Sequence, residues 1–265
     1  MEFKTDPFSS SFYDFLLTRY PYLLSGAFRH SSNEPPESHE PVMHGTTVLA
    51  IKYQEGVVVA GDRRATEGFQ VAGRRIEKVY KVDEHSAIAI AGAAGPSIEL
   101  ARLFQTEMEH YEKLEGVELS TDGKANKLSQ MVKANLPMAF QGLVVIPIFT
   151  GYDLTKREGR IFKYDITGGR YEEADHYATG SGGKDARNTI KKSYKDKMKE
   201  EEAVGLALEA LYDAADEDIG TGGPDLIRGI YPTVKTVTEK GISDVNEERM
   251  KRIYKELTKP KKTEA

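Results

Sequence analysis

The sequence predicts an α+β fold in which antiparallel sheets are covered by helices. Three observations carry this. The elements run in the order strands, two helices, strands, two helices and a last hairpin. Short turn signals at Gln54-Glu55-Gly56 and Lys240-Gly241 join neighbouring strand-like runs into hairpins. Between them lie segments with apolar residues at helical spacing. That order suggests two stacked sheets with helices outside both, and pattern alone reaches no further than α+β with sheets packed against helices.

The first strand begins at Thr46 and the second spans Gly56 to about Arg64, so the pair is antiparallel. The alternating stretch Arg74–Val82 reads as another strand, and Ser86–Ala91 as a buried strand of small apolar residues ending in a glycine turn. Pro96 opens a helix to about residue 114, with Ala101, Phe104, Met108 and Tyr111 on one face. A second helix is expected over roughly 124–139. Strands follow at 143–149, 160–165 and 174–179, then helices near 183–198 and 202–217. The last hairpin pairs Thr233–Thr238 with Ile242–Val245, and a disordered tail is expected from about 255 to 265.

Residues 1–45 differ from the rest, being rich in Phe, Tyr and Ser and carrying a Pro-Pro-Glu stretch. Phe12, Phe15, Leu16 and Arg19 fit a short amphipathic helix ending before Pro21, and 31–40 reads as a polar linker. The 265 residues suit one domain with a sizeable core. There is no cysteine, which agrees with a reducing cytoplasm. A net charge of −5 leaves no basic footprint for nucleic acid. The apolar run Tyr20–Phe28 is too short to span a bilayer and has no basic segment before it, so no membrane or secretory route is expected. The six histidines show no ligand spacing, and the glycine-rich pieces at 180–183 and 220–223 lack Gly-Lys-Ser/Thr. Neither a metal nor a nucleotide cofactor is expected.

The chemistry points to Gly45-Thr46. Cutting that bond makes Thr46 an N-terminus with a hydroxyl nucleophile and a free amine on one residue, and such an amine serves as base for its own hydroxyl. The hairpin brings Asp62 back beside Thr46, although taken alone Asp62 is equally an ordinary loop carboxylate. Lys78, by itself a solvated strand residue, would near Thr46 lower the amine's pKa toward the neutral form a base needs. Gly92 has no side chain to obstruct a carbonyl approaching its N–H, so it is a candidate oxyanion donor as well as a turn residue.

These residues resemble, from Thr46 onward, the proteasome β-subunit family of N-terminal-nucleophile hydrolases. The likeness is strongest to the actinobacterial type, through Gly-Asp-Arg-Arg-Ala-Thr at 61–66, His110–Gly116, Leu211–Asp216 and Gly222–Leu226. The resemblance implies the αββα fold, a propeptide over 1–45 removed by autocleavage at Gly45-Thr46, and a catalytic domain over 46–265. It implies Thr46 as nucleophile, Asp62 and Lys78 as its charged partners and Gly92 as oxyanion donor. Ser181, Asp218 and Thr221 complete the network, and Ala65, Thr66, Ile76, Ile90, Ala94 and Ile98 line the specificity pocket, all apolar but Thr66, with Tyr80 a further candidate. One departure stands here: Ile219-Gly220 follows Asp218 where the family usually shows small residues such as Ser-Ala, and an isoleucine there is able to repack that loop.

The activity implied is that of a threonine endopeptidase without cofactor. The partners implied are α-type subunits, further β subunits in heptameric rings, a ring-shaped AAA ATPase and unfolded protein substrates. The alternative is a catalytically silent ring subunit of the same complex, serving only assembly. The simpler bacterial peptidase that also begins Thr-Thr fits less well, because this chain is longer and carries Leu211–Leu226.

Overall fold

The computed structural model describes residues 45–67 and 70–258. The chain divides into Met1–Glu40 and Pro41–Ala265, and all of the described residues belong to the second unit. The proposed helix around Phe12–Arg19, the linker and nearly all of the expected propeptide lie outside the described residues.

Two five-stranded antiparallel sheets form the centre. The first has the order β10-β1-β2-β11-β12, from β1 (Thr47–Tyr53), β2 (Gly56–Gly61), β10 (His176–Gly180), β11 (Thr233–Thr238) and β12 (Gly241–Asp244). The second has the order β5-β6-β7-β8-β9, from β5 (Val79–Asp83), β6 (Ser86–Gly92), β7 (Val145–Asp153), β8 (Glu158–Tyr164) and β9 (Arg170–Glu173). The central strands are apolar on both faces because both faces are covered. Val48 and Ala50 of β1 point into the layer between the sheets, beside Val57, Val59, Ala87, Ala89 and Ile148. Leu49 and Ile51, one residue out of phase, point the other way into a core shared with helices.

That outer core is closed by α4 (Gly183–Ser193), α5 (Glu200–Glu217) and α6 (Glu247–Leu257). The second sheet turns Ile88, Ile90, Phe149 and Phe162 toward α1 (Ala94–Glu115) and α2 (Thr121–Ala134), where Phe104 and Leu128 are fully buried. The expected four-layer αββα sandwich is therefore the fold.

The element boundaries differ from expectation where a local signal misled. The segment Arg74–Glu77 is not strand. Ahead of it the chain forms a small separate two-stranded sheet of β3 (Ala65–Glu67) and β4 (Gln70–Gly73), and the Ile76 N–H binds the Arg63 carbonyl. The second helix starts three residues early, because the Ser120 hydroxyl accepts from the Gly123 N–H as an N-cap. It breaks at Asn135, just ahead of Pro137, leaving a single turn, α3 (Leu136–Ala139). The helix expected over 183–198 ends at Ser193. Helix α6 is new, and it corrects the expected tail: the chain is helical through Leu257, with Tyr254 completely buried against Tyr212 and Tyr231. Residues 259–265 lie outside the described residues.

Candidate active site

Topology assembles the site. Strand β1 lies between β2 and β10, with Val48 opposite Gly61 and Thr47 opposite Gly180. The residues that follow those partners, Asp62 and Ser181, therefore flank the start of β1 from opposite sides. Thr46 sits between them, 5% exposed, although they come from distant parts of the chain.

The first network centres on Asp62, which is fully buried. One carboxylate oxygen accepts from the Thr47 N–H at 2.8 Å and from the Lys78 ammonium at 2.6 Å. The other accepts from the backbone N–H groups of Arg64 at 2.8 Å and Gly222 at 2.9 Å. Four donors satisfy a carboxylate with no access to water. Lys78 precedes β5 in the opposite sheet and also donates to the Arg64 carbonyl at 2.6 Å, so this ion pair bridges the two sheets. Burial pushes the Lys78 ammonium below the usual lysine range, and the Asp62 carboxylate only partly opposes that.

The second network begins at the Thr46 nitrogen, which donates to Ser181 Oγ at 3.1 Å. Ser181 Oγ and Thr221 Oγ1 each lie 2.5 Å from Asp218 Oδ2 and donate to it. Thr221 has one hydroxyl proton and gives it to Asp218, so Thr47 Oγ1, 2.6 Å away, donates to Thr221. Thr47 Oγ1 in turn accepts from the Gly182 N–H at 3.0 Å. Donation thus runs from both threonines of the Thr46-Thr47 pair toward Asp218. The hydroxyl of Thr46 donates to the Gly45 carbonyl oxygen at 2.7 Å. That places the nucleophile candidate against the carbonyl of the bond expected to be cut.

Asp218 caps the C-terminus of α5 through its N–H to the Ala214 carbonyl, and the following loop supplies both Thr221 and Gly222. The two networks therefore share one loop. Ile219 does not pack into the interior of that loop. Its side chain is 73% exposed, and its carbonyl accepts from Arg64 Nη1 at 2.9 Å.

Beside Thr46 opens a cleft lined by all six candidate pocket residues, Ala65, Thr66, Ile76, Ile90, Ala94 and Ile98, together with Gly92 and Tyr80. It is less apolar than expected, since Glu77, Lys78 and Ser97 also line it. The Tyr80 hydroxyl donates to the Glu77 carbonyl at 2.6 Å. Gly92 ends β6 with φ +121°, a backbone open to glycine, and a Cβ there would meet the Val144 carbonyl oxygen at 2.0 Å. The Thr66 hydroxyl accepts from the Gly45 N–H at 3.0 Å, so the residue before Thr46 is held at the cleft mouth.

Sequence reasoning missed Thr47, whose N–H holds Asp62 and whose hydroxyl holds Thr221. The Thr-Thr doublet was visible, but the second hydroxyl's role depends on loops that arrive from residues 182 and 221. Among the described residues no group of three or more His, Asp or Glu side chains is placed to hold a metal ion, and no helix is long and apolar enough to cross a membrane.

The family model for proteasome subunits matches residues 42–226. The proteasome subunit beta of Acidothermus cellulolyticus is 54% identical over 240 residues, covering 89% of this chain and 81% of that protein. That of Acidimicrobium ferrooxidans is 54% identical over 216 residues, covering 82% and 79% respectively. That of Streptomyces griseus is 48% identical over 251 residues, covering 95% and 88%. The family match spans the residues of both networks and the cleft, and the chain belongs to the proteasome subunit family as a β-type subunit.

Proposed function

We propose that the chain is a proteolytic subunit of the threonine type, made as a precursor and activated by cutting its own Gly45-Thr46 bond. In the precursor the Thr46 hydroxyl attacks the Gly45 carbonyl carbon. The C–N bond breaks, the nitrogen takes up the proton, and an ester to the Thr46 oxygen remains. Water hydrolyses that ester, leaving a Gly45 carboxylate and a free Thr46 hydroxyl and amine.

The same atoms then serve substrates. The Thr46 amine takes the hydroxyl proton as the oxygen attacks a peptide carbonyl, the N–H of Gly92 receives the oxyanion, and the leaving amine is protonated. Water completes the cycle by hydrolysing the acyl ester. Lys78, with its lowered proton affinity, tunes the amine. Asp62 holds Lys78 and the Thr47 N–H, while Ser181, Asp218 and Thr221 orient the Thr46 nitrogen. The largely apolar cleft selects the residue on the acyl side of the cut bond. The partners in this reading are α-type subunits, other β subunits in heptameric rings, a ring AAA ATPase and unfolded chains, in the cytoplasm.

The observation that supports the reading is the setting of Thr46, whose nitrogen donates to Ser181 Oγ and whose hydroxyl is hydrogen-bonded to the carbonyl oxygen of Gly45. The test is Thr46→Ala against Thr46→Ser. Thr46→Ala should fold, retain residues 1–45 and lack activity, and Thr46→Ser should keep part of both functions. A processed, active Thr46→Ala protein would reject the assignment. Wild-type chain that stays full length and inactive in a complete assembly would instead favour a silent ring subunit.

A further inference from the structure

Ser97 is buried in the wall of the cleft beside Thr46, 7% exposed, and neither hydrogen-bond network uses it. It lies in the first turn of α1, where Ala94, Ser97 and Ile98 stand at i, i+3 and i+4, and all three line the cleft. That spacing puts the serine on the helix face turned toward the cleft. Its N–H donates to the Ala93 carbonyl at 3.0 Å, as the helix requires. Its hydroxyl oxygen is buried and has no hydrogen-bond partner among the described residues. A helical serine commonly returns its hydroxyl to a carbonyl one turn back, and this one does not. The other polar side chains of the cleft are engaged. Thr46 donates to the Gly45 carbonyl, and the Thr66 hydroxyl accepts from the Gly45 N–H. Glu77 accepts from the Val79 N–H at 3.4 Å, and Lys78 is held by Asp62 and the Arg64 carbonyl. The Tyr80 hydroxyl is given to the Glu77 carbonyl. Ser97 is the exception, at a place where alanine would leave no polar atom to satisfy and would favour the helix.

We propose that Ser97 is a specificity-determining residue, whose hydroxyl pairs with the phenol of a tyrosine on the acyl side of the cut bond. This rests on the reading of the chain as a threonine peptidase whose cleft receives that residue. The walls narrow the choice of occupant. Ile76, Ile90, Ala94 and Ile98 present apolar surface, so the body of the side chain must be apolar. A charged or amide end would give up most of its water for one partner. Tyrosine joins an aromatic ring to one hydroxyl, and a hydroxyl both donates and accepts, as that of Ser97 does. Whichever proton is shared, the pair satisfies both groups. Phenylalanine meets the same walls but leaves the serine unpaired, so the site discriminates between two side chains that differ only in the phenol oxygen. The net worth of a neutral hydrogen bond of this kind corresponds to roughly 3- to 10-fold.

The experiment measures kcat/KM for two fluorogenic peptides that are identical except for tyrosine or phenylalanine on the acyl side. Wild type, Ser97→Ala and Thr46→Ala are compared, each expressed as the full-length chain in its assembled complex. We expect wild type to favour the tyrosine peptide by roughly 3- to 10-fold. Ser97→Ala should bring that ratio to about 1 by losing rate on the tyrosine peptide alone. Its rate on the phenylalanine peptide should stay within about twofold of wild type or rise, which also shows that it folds. A merely structural serine would lower both rates together and leave the ratio where it was. The proposal is overturned by a wild-type ratio near 1, by a ratio that survives Ser97→Ala, or by an equal loss on both peptides. The threonine-peptidase reading fails, and the proposal with it, if wild type cleaves neither peptide or if Thr46→Ala cleaves both as well as wild type does.

Discussion

Replacing Lys78 with alanine should damage stability and chemistry together, and the two losses are separable. The Lys78 side chain is 6% exposed and its partner Asp62 not at all. Removing the cation leaves a buried carboxylate without its counter-charge, a change that costs about 3–5 kcal/mol in general. Asp62 keeps the N–H groups of Thr47, Arg64 and Gly222, so a loss near the lower limit, about 3 kcal/mol, is expected here. This exceeds what the sequence suggests, since a lysine taken as a tuning charge on a strand carries little of the fold. Urea titration in a Thr46→Ala background keeps the segment ahead of Thr46 in place and reads the stability term alone. With a slope of about 1–3 kcal/mol/M, the midpoint should fall by roughly 1 M or more. In the active background, turnover of a fluorogenic peptide should fall by about 10²-fold or more. Lys78→Arg keeps a cation, but a planar fork cannot replace a compact ammonium held at 2.6 Å from both Asp62 Oδ1 and the Arg64 carbonyl. It should regain part of the stability and little turnover. An unchanged urea midpoint with normal turnover in Lys78→Ala would overturn both roles given to this ion pair.

Thr221→Val keeps the shape of a fully buried side chain but removes the link between Thr47 and Asp218, so urea unfolding should show a loss of about 1–3 kcal/mol and peptide turnover should fall. A fluorogenic panel should show faster cleavage after Leu, Tyr or Phe than after Arg or Asp, because the cleft rewards apolar burial at about 25 cal/mol per Å² and desolvating a charge is costly. Arg160 should contribute to the acid limit of stability. Its hydrogen bonds hold Asp122 down at about 2, from 3.8, and hold Glu172 below the usual carboxylate range. Folded-state values lowered in this way stabilise above the unfolded pKa and lose that contribution as pH falls through about 4.5 toward 2. Arg160→Gln should therefore lower the melting temperature at pH 7 and flatten its decline across that window, and a parallel decline in both proteins would show that Arg160 does not contribute to the acid limit.

How legible the molecule was in its sequence depended on how local each signal is. The β1–β2 hairpin could be read because its turn, its apolar runs and the placement of Asp62 beside Thr46 all lie within about twenty residues. Helix α6 was written in the sequence too, with Asn246 as its cap and Met250, Ile253, Tyr254 and Leu257 at helical spacing. Its charged outer face and its place before a Lys-rich tail hid it. The Arg74–Val82 segment misled because alternation persists through Ile76, although the ladder begins only at Val79. Asp62, Lys78 and Ser181 could be named beforehand, but their geometry comes from strand order, which local pattern does not encode. Least legible was the contact of Thr47 with Thr221, where the reason for each residue lies 174 positions away.

Catalysis by this route requires the Thr46 hydroxyl to become covalently acylated by its substrate. The direct measurement is to mix the processed complex briefly with a slowly released peptide ester, quench in acid and map the acyl group by mass spectrometry after digestion. The expected product is a chain that begins at Thr46 and carries a single acyl group on its N-terminal fragment, absent when Lys78→Ala is treated in the same way. An acyl group on any other fragment, or turnover of the ester by a chain that still carries residues 1–45, would contradict it.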